Sequence, residues 1–118
     1  MGKSNRLSGR VSKALTDPAN ELWLSPVSIW ELFLLFGKGR LRIPEGFTTW
    51  VTRALTATPL KEAPLTFEVA QALATVNLTH GDPADRFLAA TAKVFDLTLV
   101  TADERLVRAP GIKVLANR

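Results

Sequence analysis

The dipeptides Ser25-Pro26 and Asp82-Pro83 constrain this chain more than any other feature. A Ser or Asp oxygen accepts a hydrogen bond from an orphan amide at a helix start, and a proline in the first helical position has no amide to lose. Each pair therefore predicts a helix that begins there. The first runs to about Phe36 and is ended by Gly37 and Gly39. It follows Glu21 to Ser25, a short apolar segment that reads as a buried strand. The second opens a stretch from His80 to Asp103 in which a helix leads into the β-prone run Leu97 to Thr101, and the strand stops at an acid.

The remaining segments fit the same alternation. Arg6 to Asp17 carries Leu7, Val11, Ala14 and Leu15 at helical spacing, after a polar start at Met1 to Asn5 that is expected to be disordered. Asp17-Pro18-Ala19-Asn20 is a turn. Glu45 to about Thr58 is amphipathic, Leu60 to Leu65 is a short strand, and Thr66 caps a helix that buries Val69, Ala70, Leu73 and Val76. Ile112 to Leu115 is the last strand. Strands separated by helices argue for an α/β domain with a parallel sheet, in which function sits at the carboxyl ends of the strands.

The 118 residues, 47% of them hydrophobic, are enough for a single domain, 1–118, with its own core. No run approaches the roughly 18 apolar residues of a membrane span, so a cytoplasmic location is expected. With no cysteine and one histidine, neither a thiolate zinc site nor a His-rich one can be built, so any metal site must use oxygen ligands. That chemistry favours Mg²⁺ or Mn²⁺. The net charge of +4 is mild, but three acids gathered in one pocket would leave 15 − 8 = +7 on the rest of the molecule. A basic shell around an acidic centre suits a phosphodiester held beside a metal.

Three acids are candidates for that centre. Glu31 is the only charge in the helix that starts at Pro26, and it shares a face with Val27, Trp30 and Leu34. A carboxylate in such an apolar stripe needs a metal cation or an Arg beside it, unless it reaches water at the helix rim. Asp85 falls in the first turn after Pro83, where the helix dipole favours an acid, so it reads either as a capping-box residue or as a functional one. Asp103 lies just past a strand end. Strand-to-helix connections bring all three toward one edge of a parallel sheet. Lys38, Arg40 and Arg42 form a basic connector that reads as a solvated loop or as a phosphate contact.

The motifs Leu-Ser-Pro-Val-Ser-Ile-Trp-Glu-Leu around Glu31, Gly-Arg-Leu-Arg-Ile-Pro after it, Asp-Pro-Ala-Asp-Arg-Phe-Leu-Ala-Ala-Thr-Ala around Asp85 and Leu-Thr-Leu-Val-Thr-Ala-Asp ending at Asp103 resemble, in order and spacing, the PIN domain. Within it they are similar to toxin ribonucleases of the VapC type. The resemblance spans about Arg6 to Leu115. It implies a PIN-like fold, a central parallel β-sheet flanked by helices on both faces, and a Mg²⁺-dependent endoribonuclease of a toxin–antitoxin pair. Glu31, Asp85 and Asp103 match three of the family's four metal-binding acids. Thr101 and Ser28 match positions near the site or its RNA, Arg86 matches a common Arg that serves structural pairing as readily as phosphate contact, Asp82 stays a helix cap, and His80 fits a common pattern although a loop histidine is more often surface. A cognate antitoxin and a homodimer are the implied partners.

Family members open with a hydrophobic strand that carries an Asp, and no such strand precedes Arg6. The expectation is thus a PIN-like fold with its N-terminal strand missing and a weakened site. Three carboxylates within about 4 Å repel by several kcal/mol per pair at an effective dielectric of about 20, so the cluster calls for a divalent ion. Two other readings differ in class. One is a non-catalytic remnant that keeps an antitoxin-binding or dimerising surface. The other, a Rossmann-like ligand binder, lacks a Gly-rich phosphate loop.

Overall fold

The computed structural model describes residues 8–76 and 82–117. The expected N-terminal fraying and His80 lie outside them. The chain forms two compact units, one within 21–64 and the other from 8–20 together with 65–117.

The 21–64 unit is built from β1 (Leu22–Leu24), α2 (Pro26–Gly37), α3 (Phe47–Ala57) and β2 (Leu60–Glu62), following α1 (Gly9–Thr16) of the other unit. β1 and β2 pair in parallel with Leu22 opposite Leu60, and the Ala63 amide extends the ladder to the Leu24 carbonyl at 2.9 Å. A parallel pair needs a crossover of a dozen residues or more, which α2 and α3 supply. Ser25 caps α2 as its sequence demands, its hydroxyl accepting from the Val27 amide at 3.0 Å with Pro26 in the first turn. At the other end the Arg40 amide donates to the Leu35 carbonyl and the Gly39 amide to that of Phe36, with Gly39 at φ 73°. That is the left-handed helix stop for which glycine has the lowest cost. Phe47 packs against Phe33 and Phe36 with ring centroids at 5.4 and 5.6 Å, which joins α3 to α2.

The second unit carries α1, α4 (Phe67–Ala72), a short 3-10 turn at Leu73–Thr75, α5 (Pro83–Val94), β3 (Thr98–Thr101), α6 (Glu104–Val107) and β4 (Lys113–Ala116). β3 and β4 pair in parallel over four residues, Thr98 opposite Lys113 through Thr101 opposite Ala116. Its core gathers Val69, Val76, Ala89, Ala90, Leu106 and Ala109, with Phe87, Phe95 and Leu99 packed around them. Thr66 caps α4 by accepting from Val69, as expected, but Ala70 is exposed and only Val69 and Val76 of the anticipated buried side are fully enclosed. α5 ends as α2 does. The Leu97 amide reaches the Ala92 carbonyl at 2.8 Å, and Asp96 occupies the left-handed position at φ 54°. The Ser8 amide donates to Asn117 Oδ1 at 2.7 Å, tying the start of α1 to the end of β4.

The parallel pairing expected from the alternation is thus present as two small two-stranded sheets among the described residues. No described helix is long and apolar enough to cross a membrane.

Candidate functional site

The second unit carries Asp82 and Asp85 at the start of α5 and Asp103 just past the end of β3. Asp82 is the N-cap of α5, its carboxylate accepting from the Ala84 amide at 3.0 Å. Asp85, one turn on, is a buried residue with 8% exposure. A carboxylate so placed gains from the positive end of the helix dipole.

Asp103 is both a strand-end acid and a cap. Its carboxylate accepts from the Arg105 amide at 2.9 Å and starts α6, a helix of four residues that sequence periodicity is too short to reveal. Thr101 fixes the approach, its hydroxyl accepting from the Asp103 amide at 3.1 Å while its carbonyl accepts from Asn117 at 2.8 Å. The role of Thr101 is thus to hold the Asp103 backbone as the chain leaves β3.

Arg105 grips Asp103 from the start of α6. Its Nε lies 3.3 Å from Asp103 Oδ1 and its Nη2 3.1 Å from Oδ2, a two-point grip on one carboxylate. Hydrogen bonding to Asp103 is the largest cause of the raised guanidinium pKa, followed by the charge of Asp103, with Asp85 and Asp82 near enough to add to it. The contact that the structure shows is that of Asp103 with Arg105. Sequence reading passed over Arg105. The signal was there in the run Thr-Ala-Asp-Glu-Arg, because an Asp that caps a helix places the residue two further on beside its own carboxylate.

Glu31 belongs to the other unit. It sits in the second turn of α2 and is half-buried, whereas the stripe expected to enclose it is open, with Trp30 50% and Leu34 37% exposed. Glu31 thus lies between the two readings of its stripe, enclosed or at the rim: an apolar helix does not bury a side chain unless something packs on that face. Ser28, one turn earlier, is half-buried and donates its amide to the Ser25 carbonyl at 3.0 Å. Arg86 follows Asp85 on α5 and is half-buried. Arg40 and Arg42 of the basic connector are exposed.

The donor chemistry of the acid cluster fits a hard divalent cation, because every ligand it offers is a carboxylate oxygen and the region already attracts a positive charge. As the side chains stand, no group of three or more acidic or histidine residues among those described is arranged to hold a metal. The arrangement present is one that holds a guanidinium.

Comparison with known proteins agrees with the architecture. The family described as PIN domain matches residues 4–112. A chain in the crystal structure of VapBC2 from Rickettsia felis, bound to a DNA fragment from their promoter, superposes with a TM-score of 0.64. It shares 18% sequence identity, over 89% of this chain and 81% of that one. At that identity the likeness is one of fold. No curated protein matches the sequence.

Proposed function

We propose a function from one established premise, that this chain belongs to the PIN domain family. The chain is a nuclease of the VapC type that hydrolyses RNA phosphodiesters with Mg²⁺ or Mn²⁺, and its activity is restrained by a cognate antitoxin. The observation that carries this reading is the match of the PIN domain family to residues 4–112, a region in which Asp85 and Asp103 both lie in the second unit. The fold likeness to a chain of the VapBC2 complex supports the antitoxin partner.

Asp85 and Asp103 would hold the metal; Glu31 of α2 is the third acid that the resemblance to the family assigns. A divalent ion bound there supplies Lewis-acid polarisation of the phosphate and a more acidic bound water. The chain's own residues do the rest. Thr101 keeps the Asp103 backbone fixed, and Asp82 caps α5. Arg86, Arg40 and Arg42 offer positive charge for the RNA backbone, where each neutralised phosphate adds sequence-independent affinity.

Incubation of the full chain with single-stranded RNA and Mn²⁺ tests the proposal. Endonucleolytic products are expected, and Asp85→Asn should slow their appearance by about a hundredfold or more, the scale on which loss of one group facing developing charge acts. Equal cleavage by parent and variant would sink the assignment.

One feature favours a second reading, that of a binding module. Trp30, Phe33, Leu34 and Leu35 of α2 are all more than a third exposed, an apolar face that suits a homodimer or a bound antitoxin. Absence of cleavage by the parent chain with Mg²⁺ and Mn²⁺, together with antitoxin binding by that same chain, would support it over the nuclease.

A further inference from the structure

We propose that the open face of α2 and the basic connector that follows it form one docking surface, whose occupant is an acidic amphipathic polypeptide segment with apolar side chains along the helix and carboxylates at the connector. The inference deepens the reading of α2 as a partner-binding face and rests on it.

One helix stop joins the two parts of the surface. Trp30, Phe33, Leu34 and Gly37 recur at i, i+3, i+4 and i+7 and are all exposed, which makes a single stripe along α2. Gly37 has open space where a Cβ would stand, so another chain can come close to the backbone there. The stop then turns the connector back on the helix. The Lys38 amide donates to the Leu34 carbonyl at 3.1 Å and the Arg40 amide to that of Leu35 at 2.9 Å, which fixes both residues at the end of the stripe. Beyond them exposure alternates, with Arg40 and Arg42 exposed and Leu41 and Ile43 half-buried.

Charge selects the occupant. The other cations of this unit are matched, Arg53 by Glu45 and Lys61 by Glu21. Lys38, Arg40 and Arg42 have no ion pair among the described residues. One cation at a helix C-terminus complements the dipole, and three exceed that duty. A second copy docked through the same stripe would bring from its α2 a single acid, Glu31, against the three cations. Nucleic acid fits less well, because Leu34 has no π-face on which a base can stack and Phe33 is engaged edge-on with Phe47. A polypeptide with apolar anchors at helical spacing fills the stripe, and its carboxylates pair with the arginines at two points each. Docked there, it would cover Arg40 and Arg42, the charge offered to the RNA backbone.

The test measures fluorescence anisotropy of labelled synthetic helical peptides on the full chain, in EDTA. Three peptides share leucines at i, i+3, i+4 and i+7 and carry Glu, Gln or Lys at one end. The Glu peptide should bind about tenfold more tightly than the Gln peptide, and the Lys peptide more weakly than either. Trp30→Ala should weaken the Glu peptide about tenfold or more, as for a central aromatic anchor. The combined change Lys38→Gln, Arg40→Gln and Arg42→Gln should remove the preference for Glu and leave the Gln peptide unaffected, and NaCl should narrow the same preference in the parent. Circular dichroism shows whether each variant folds, and the charge variant, altered only at exposed positions, keeps the comparison meaningful if Trp30→Ala does not. Equal binding of all three peptides, lost in Trp30→Ala, would overturn the acidic occupant and leave the apolar face standing. Binding of none would overturn the docking surface itself. A dimer in sedimentation velocity that Trp30→Ala dissolves would assign the stripe to a second copy. A single-stranded RNA that loses as much affinity in Trp30→Ala as the Glu peptide does would assign it to nucleic acid, and either result sinks the proposal.

Discussion

Helices α2 and α5 are built to one plan and meet different fates. Each spans 12 residues, opens on a polar cap followed by proline, and closes with a left-handed residue that satisfies its last carbonyls. Yet α5 encloses Ala84, Asp85, Ala89, Ala90, Thr91 and Ala92, while α2, much the more hydrophobic sequence, encloses only Val27. Small side chains let α5 approach α4 closely, and neighbours then cover it. The bulky Trp30, Phe33 and Leu35 of α2 find no such cover among the described residues. The difference teaches that hydrophobicity makes burial favourable but does not provide the partner.

Core truncation gives the largest contrast. Leu106 is 2% exposed in the core beside α5, so Leu106→Ala should cost about 2–5 kcal/mol in denaturant unfolding. Phe33, 52% exposed on α2, should cost only about 1 kcal/mol when changed to Ala, chiefly through its edge contact with Phe47. Similar losses at the two sites would mean that α2 is covered in solution by a partner or a second copy, which would break the contrast.

The two helix stops offer a finer comparison. Gly39→Ala should destabilise by about 1–2 kcal/mol, because a Cβ is disfavoured in the left-handed conformation even though open space surrounds Gly39. Asp96→Gly should change stability in the opposite direction by up to about 1 kcal/mol, less the small contribution of the exposed pair with Lys113 at 2.9 Å. Changes of the same sign would show that the two stops are not equivalent.

The smallest effect concerns the ion pair beside each strand pair. Lys61 bridges to Glu21 at 2.7 Å in one unit and Lys113 to Asp96 in the other. The hydrogen bond from Lys61, and then its charge, hold the Glu21 carboxyl below its ordinary value of 4.5. The sign follows from linkage: the stabilisation is present above pH 4.5 and is lost as pH falls through the lower folded-state value. Glu21→Gln should therefore leave acid unfolding nearly unchanged, with any difference from the parent confined to pH values above that point, since both partners are well exposed. A large shift in the acid midpoint would show that this pair is less solvated than its exposure indicates.

Much of this was legible in the residues, and the reason is locality. Ser25-Pro26, Asp82-Pro83, Thr66 and Gly39 act within one helical turn, so their caps and stops appear where the sequence puts them. Capping by Asp82 and the strand-end place of Asp103 belong to the same class. The four-residue α6 escaped because a single turn has no periodicity to detect, and with it went the part played by Arg105.

By itself, the sequence determined the order of the strands and of the longer helices, where α2 and α5 start, where α2 stops, and the family, because backbone hydrogen bonding and capping are decided by near neighbours. The tertiary structure alone decided that the Ala-rich α5 is enclosed while the Leu- and Phe-rich α2 is open, that Glu31 is half-buried, and that Arg105 grips Asp103. Burial and charge pairing depend on which surfaces meet, and no local rule encodes the partner.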